Sequence, residues 1–428
     1  MGFSFNQFAL NTGCVGRTHV PHRAPFRSLS STMLRPPSLI KLALFASASS
    51  LVLVHSAWAD ELDTLQFRAG QSFQHDSNVF RLSDTPNAAK RSDTFGVTTL
   101  GVKLNKPLSL QRFEFDAEVQ DHNYRSFSEL DFTAVNYAAA WRWSLTPKLH
   151  GNFTGSQREQ VDTSADVRAT GLNRRTDRDV LFDAEYELDG VWRLLGGVYN
   201  RESSNSQPFT FERDSKERGA EAGVRYVYPS GSTLSYIFKQ GSGDYSGRAA
   251  PVTSPPSFKD REHELRFLWA LTGKTTVQTR VAYLDRQHDG FSARDFSGVV
   301  GQSAVTVALT GKTTVSAGVA RELGSYQTET SSYFVANSLF LAPTWKPTEK
   351  TALRLRYDYG VRNYKGPLPG GVSDGRRDRT HVASMAFDWE PVRAVLLTAS
   401  LQRDQRNSNL PNLDYRAVMV GLSALARF

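Results

Sequence analysis

The chain has 428 residues, of which 39% are hydrophobic, and its mean hydropathy of −0.41 excludes a helical membrane protein. A single cysteine, Cys14, excludes a disulfide framework. The formal charge of +8 does not point to nucleic acid, because residues 1–59 hold Arg17, Arg23, Arg27, Arg35 and Lys41 and no acid, leaving the rest close to neutral.

Those first 59 residues read as a leader. Arg35 and Lys41 give a basic segment, residues 42–54 an apolar core, and Ala57-Trp58-Ala59 a small-x-small cleavage site, which predicts a secretory signal peptide cut before Asp60. The apolar run is shorter than the ~20 residues of a spanning helix. The stretch before Met33 has no such pattern, so Met33 is the expected start of translation. The mature chain is then residues 60–428, without thiol or lipidated cysteine.

From Leu62 onward, strand-like runs with period-2 alternation alternate with breaks. In residues 112–124, Phe113, Phe115, Ala117 and Val119 oppose Arg112, Glu114, Asp116 and Glu118. Residues 179–189 set Val180, Phe182, Ala184, Tyr186 and Leu188 against Asp179, Asp183, Glu185 and Glu187. Residues 262–271 set His263, Leu265, Phe267, Trp269 and Leu271 against Glu262, Glu264, Arg266 and Leu268. Several charges in a row on one strand face suit a water-filled lumen, while the apolar face suits lipid.

The breaks come in two sizes that alternate. Short ones fall at Asn105-Lys106-Pro107, Thr146-Pro147-Lys148, Asp189-Gly190, Pro229-Ser230-Gly231, Thr272-Gly273-Lys274, Thr310-Gly311-Lys312, residues 346–350 and Glu390-Pro391. Long polar ones fall at residues 157–178, 203–216, 241–260 and 364–378. The count predicts an all-β, transmembrane antiparallel β-barrel of about 18 strands, or 16 with one hairpin miscounted, with both termini on the short-turn side.

Two features support that topology. Trp141, Trp143, Trp192, Trp269, Trp345 and Trp389 all lie within a few residues of a short turn, as an interfacial girdle requires. The octapeptide at residues 270–277 recurs unchanged at residues 308–315, and this spacing equals one hairpin plus its connections. The chain closes with Val418, Val420, Leu422, Ala424, Ala426 and Phe428 on one face. A terminal phenylalanine there resembles the signal read by the barrel-assembly machinery of bacterial outer membranes.

Motifs for catalysis are weak. Gly273-Lys274-Thr275 and Gly311-Lys312-Thr313 lack the second glycine of a phosphate loop, since Leu268 and Thr306 stand at its position. His75 with Asp76, His122 with Asp121, His288 with Asp289, and His263 between Glu262 and Glu264 are sequence neighbours, which point to opposite faces of a strand. Neither a Gly-x-Ser-x-Gly elbow nor His-Glu-x-x-His is present. No catalytic residue, cofactor or metal site is predicted. Arg174, Arg175, Arg178, Arg213, Arg218, Arg376, Arg377 and Arg379 interleave with Asp177, Asp179, Asp214, Asp374 and Asp378 near the long loops. They read either as a vestibule for an anionic polymer or as a salt-bridged rim that meets lipopolysaccharide phosphates.

After the first strand, residues 75–84 read His-Asp-Ser-Asn-Val-Phe-Arg-Leu-Ser-Asp, followed by Ser92-Asp93-Thr94. This segment resembles that of the EpsL-type outer-membrane proteins of exosortase-associated exopolysaccharide clusters, a group of porin-like barrels. Asp76 and Asn78 suit Asx turns that end the strand, with Phe80 and Leu82 against the wall and Arg81 at the opening. The resemblance implies export or assembly of an extracellular polysaccharide. Its expected partners are outer-membrane lipid and lipopolysaccharide, the assembly machinery, polysaccharide and periplasmic export components. Candidate lumen or loop contacts are Asp76, Asn78, Phe80, Arg81, Arg112, Glu114, Asp116, Glu118, Asp183, Glu185 and Arg266. A porin-like uptake channel and a non-conducting structural barrel are the alternatives, and the expected location is the bacterial outer membrane with periplasmic termini.

Overall fold

A computed structural model describes residues 64–83, 91–162, 173–207, 214–246, 256–326, 330–367 and 370–428. The leader with its cleavage site, Asp84 and Arg213 lie outside them. Eighteen strands follow in order: β1 Leu65–Asp76, β2 Asp93–Leu108, β3 Gln111–Tyr124, β4 Phe132–Thr146, β5 Leu149–Asp162, β6 Asn173–Glu187, β7 Trp192–Asn205, β8 Asp214–Val227 and β9 Thr233–Ser246. They continue with β10 Ser257–Thr272, β11 Thr275–His288, β12 Phe296–Ala308, β13 Thr313–Ser325, β14 Tyr333–Thr348, β15 Thr351–Lys365, β16 Arg377–Val392, β17 Val395–Ser408 and β18 Tyr415–Arg427. Each pairs antiparallel with its sequence neighbours, and β1 pairs with both β2 and β18, so the sheet closes into an 18-stranded barrel. At the seam Phe67 and Phe428 exchange two backbone hydrogen bonds, each 2.9 Å.

Alternation puts large apolar side chains outside on every part of the wall. Phe73 is 63% exposed and Leu422 64%, and similarly exposed residues run from Phe115 through Val198 and Leu265 to Leu339. No water-facing surface of this size carries such a belt, and lipid is the solvent that accommodates it. Of the six tryptophans, Trp141, Trp192, Trp269, Trp345 and Trp389 lie exposed near the short turns. Trp143 is the exception: it lies flat against Phe182, ring centroids 5.7 Å apart, and is 7% exposed.

Connections on one rim have two to five residues and those on the other six to sixteen, with both ends of the described barrel at the short-turn rim. Two short turns fall about three residues later than the sequence suggested. The chain turns at Ser109-Leu110, past Pro107, which still faces Arg112 in the ladder. It turns at Arg393-Ala394, past Pro391, because a bulge between Trp389 and Val392 absorbs that proline. Likewise β14 continues to Thr348, and only Glu349-Lys350 turn.

The long loops are shorter than expected. β5 runs to Asp162 and β6 starts at Asn173; β9 runs to Ser246 and β10 starts at Ser257. A tilted strand needs ~9–11 residues to span a bilayer, and these strands have 14 to 16. Beyond the apolar belt both faces are polar, so the alternation fades while the hydrogen-bond ladder continues.

The repeated octapeptide forms equivalent hairpin turns. The Lys274 amide donates to Thr272 Oγ1 and the Lys312 amide to Thr310 Oγ1, both at 3.1 Å. The same spacing reaches a third copy that sequence identity hides, where the Lys350 amide donates to Thr348 Oγ1 at 3.2 Å.

Candidate functional site

The inner wall is built from the polar half of each strand. Arg142 of β4 grips Glu114 of β3 through Nη2 at 2.8 Å, while Arg112 donates to Asn105 Oδ1 at 2.8 Å and lies 3.0 Å from Glu114. Asp116 pairs with Arg68 of β1, and Glu118 accepts from Gln120 Nε2 at 3.0 Å. Asp183 accepts from Asn152 Nδ2 at 2.9 Å. Glu185 takes Arg193 Nη1 at 2.8 Å and Arg225 Nη1 at 2.5 Å, tying β6, β7 and β8 together.

The densest knot spans β8 to β11. Glu264, 0% exposed, receives Arg266, Arg280 and Lys239 Nζ, the last at 3.0 Å. Lys239 also lies 3.2 Å from Glu262, which accepts from Arg280 at 2.6 Å. Glu114, Asp116, Glu185, Glu262 and Glu264 are thus held by cationic donors that offset their charge locally, while Glu118 and Asp183 take neutral amide donors. By contrast, the inner faces of β12–β14 carry Gly298, Val300, Gln302, Ser316, Gly318, Ser338 and Phe340, with Glu322 as the one acid on these three strands.

The first loop is locked to the mouth at the long-loop rim. Asp76 Oδ1 accepts the Asn78 amide at 2.8 Å, the expected Asx turn, whereas Asn78 Oδ1 accepts the Leu82 amide at 2.9 Å, four residues on, and closes a longer loop instead of a second Asx turn. Asn78 Nδ2 also donates to Arg416 O at 3.0 Å across the barrel seam. Phe80 meets Phe127 edge-on with centroids 4.8 Å apart. Arg81 does not face the opening. It adopts a left-handed φ of 51° and binds Asp76 Oδ2 at 2.7 Å and Asp404 Oδ2 at 3.3 Å. Burial opposes its charge, but Asp76 and Asp404 outweigh that and raise its pKa further.

The other side of the mouth holds a feature the sequence does not show. β12 pairs with β13 only from Gly301 to Ala308, so the seam opens above Gly301. The mouth half of the β13–β14 hairpin folds inward through that gap. Leu323, Tyr333 and Val335, on the hairpin's outer face, pack against Ala282, Leu284, Phe296 and Val300 on the inner face of β11–β12. Arg321 spans the split, donating from Nε to Val299 O at 3.0 Å and from Nη1 to Asn337 at 2.9 Å. On the hairpin's inner face, Tyr326, Phe334 and Tyr364 cluster beneath Arg376, which donates to Tyr326 Oη at 2.8 Å and to Asp378 Oδ2 at 2.5 Å. Gly318 and Gly324 face Phe340 and Phe334 across the ladder, where any Cβ would strike the rings.

Within the arginine-rich segments Arg175 pairs with Asp177 at 2.9 Å, Arg174 with Glu159 at 3.3 Å and Arg376 with Asp378, while Arg379 stays outside these pairs. His75 and His263 lie on the outer face, bonded to Thr94 Oγ1 and Tyr236 Oη, while Asp76 and Glu264 lie on the inner one.

Residues 267–428 match a protein-family model described as "Putative beta-barrel porin 2". Over that stretch the barrel is similar to a porin-like family. Among solved structures it is similar to OccK2 (OpdF) of Pseudomonas aeruginosa in complex with glucuronate, at 12% identity and TM-score 0.49, covering 85% of this chain and 98% of that one. OpdK of the same organism with vanillate gives 11% identity and TM-score 0.48, covering 85% and 99%. A BenF-like porin from Pseudomonas fluorescens Pf-5 gives 12% identity and TM-score 0.48, covering 86% and 99%. No curated protein matches the chain.

Proposed function

We propose that the protein is an outer-membrane channel for small polar solutes, with the short turns in the periplasm and the long loops outside. The observation that carries this reading is the inward-folded β13–β14 hairpin facing the anchored first loop: together they narrow a wide barrel at one end without filling its charged wall. A constriction lined by paired charges on one side and by small hydroxyl and apolar groups on the other sorts solutes by size and polarity. The porin description of residues 267–428 agrees with it.

Polysaccharide export is the second reading, favoured by the resemblance of the Asp76–Leu82 segment. Here those residues have a structural task, anchoring the loop to β17 and β18, and the wall's hydrogen-bonding groups would serve sugars in either direction. Purified barrel in planar bilayers should conduct, and in liposome swelling it should pass mono- and disaccharides with a sharp fall for longer chains. Absence of conductance would refute both readings in favour of a structural barrel. A deletion strain that loses surface polysaccharide while small-sugar uptake stays normal would replace uptake by export.

A further inference from the structure

The outer faces of β16, β17 and β18 change character at one height. Up to Met385, Leu401 and Val420 they are apolar and exposed. In the next row Ala383, Arg403 and Val418 face one another; above it come His381, Gln405 and Arg416, and above those Arg379 and Asn407. Arg379, Arg403 and Arg416 are all exposed, and among the described residues no ion pair engages any of them. The acids on these strands, Asp378, Asp388, Glu390 and Asp404, belong to the opposite, inner face, where they pair with Arg376, Arg354, Arg427 and Arg81. No outward residue of the three strands is acidic.

Elsewhere the outer surface is mixed. Arg178 lies 3.8 Å from Glu202, Lys259 lies 3.7 Å from Asp289, and Arg261 stands opposite Asp285. Three unpaired guanidiniums without an acid among them repel one another, and that arrangement calls for an anion. Their position selects the kind. A hollow of about 280 Å³ lies among Tyr357, His381, Ala383, Arg403 and Gln405, directly above the apolar belt. His381 is oriented there by a 2.8 Å hydrogen bond between its Nδ1 and Tyr357 Oη. A free anion gains nothing from adjacent lipid-facing leucine and valine, whereas an amphiphile places its phosphates on the arginines and its acyl chains on the belt.

We infer that this face is a binding site for a phosphorylated lipid headgroup of the outer leaflet, with Arg403 and Arg416 as the phosphate ligands, Arg379 above them and the hydrogen-bonded Tyr357–His381 pair supplying one flanking donor. The inference rests on the membrane orientation proposed above, but not on conduction.

The test uses the full barrel in a neutral detergent, with native mass spectrometry titrating lipid A carrying both phosphates against its dephosphorylated form. The wild-type barrel should prefer the phosphorylated probe, and Arg379→Gln/Arg403→Gln/Arg416→Gln should weaken that binding at least tenfold. The corresponding triple Arg→Lys variant should retain most of it, and Arg261→Gln should leave it unchanged. A circular-dichroism sheet spectrum confirms that each variant is folded; should the triple variant not fold, Arg403→Gln alone carries the test, with a several-fold loss expected. Equal binding of both probes, an unchanged triple variant, or an equal loss with Arg261→Gln overturns the site. So does full displacement of the lipid by inorganic phosphate, which would assign the cations to a soluble anion. Bilayer conductance of the same preparation separates the two proposals. A barrel that binds the lipid but passes no current refutes only the channel, and one that conducts without preferring the phosphorylated probe refutes only this site.

Discussion

Glu264→Gln is the sharpest probe of the lumen wall. The carboxylate is fully buried among Lys239, Arg266 and Arg280, and with Glu262 and Glu221 nearby the cluster balances three cations with three anions. Neutralising Glu264 leaves one net positive charge, and because glutamine keeps only one of the two acceptor oxygens, at least one of the three donors faces an amide N–H instead. At the 3.0 Å separation from Lys239 the Coulomb attraction is about 5 kcal/mol for an effective dielectric of ~20. Water reaches the other partners, since Arg266 is 41% and Arg280 32% exposed. Breaking one member of such a buried pair costs about 3–5 kcal/mol, and the screening places this case at about 3. Urea unfolding of the barrel refolded in detergent should show that loss. In a salt gradient across a planar bilayer the reversal potential should move toward anion selectivity. Adding Arg266→Gln should recover part of both effects, as a coupled pair requires. A midpoint and a reversal potential both unchanged by Glu264→Gln would refute the claim that this carboxylate organises the wall.

Three further outcomes follow from other parts of the structure. Arg321→Ala removes the bond to Val299 O at the split between β12 and β13; the hairpin should loosen, raising mean single-channel conductance and current noise, and an unchanged trace would show that apolar packing alone holds it. Gly324→Ala should displace Phe334 and lower stability by about 1–3 kcal/mol, read as a shifted urea midpoint, whereas Gly273→Ala in an open turn should have little effect. At the β6–β7 turn the amides of Trp192 and Val191 donate to Asp189 and hold its pKa below the usual carboxylate range. That contribution is present above the unfolded carboxylate pKa and is lost as pH falls through the lower folded value, so hydrogen-exchange protection of both amides should fall only at acidic pH, and Asp189→Asn should remove that dependence.

The barrel was legible because lipid and water impose opposite demands on alternate residues. Arg112, Glu114, Asp116 and Glu118 could only be one face of such a wall, and the tryptophans marked its rim. Strand ends were not legible where that contrast vanishes: Gln160 and Arg175 sit in a ladder with polar residues on both faces. Ser109-Leu110 escaped as a turn because the stronger Asn-Lys-Pro signal stands just before it, and Ser109 takes a left-handed φ of 55° where the ladder closes. Of the proposed contacts, Glu185 and Arg266 proved to be wall residues already engaged by neighbours, and Arg81 a strut for its loop. The inward hairpin was invisible because a strand folded into the lumen has the same period-2 pattern as one in the wall. Only Gly318 and Gly324, each making room for a ring across the ladder, hinted at it, and only once their partners were known.

The seam between β1 and β18 governs how the molecule is made. Ser77 and Val418, 341 residues apart, exchange hydrogen bonds there. Until that junction forms, the sheet is an open ribbon with two bare edges, each a template for another chain. Zipping successive hairpins is local and fast, but the joining step must find a partner at the far end of the sequence. Closure therefore competes with pairing between molecules, and the yield of closed barrel on refolding should decline as protein concentration rises, even though every hairpin forms equally well in the closed and the entangled product.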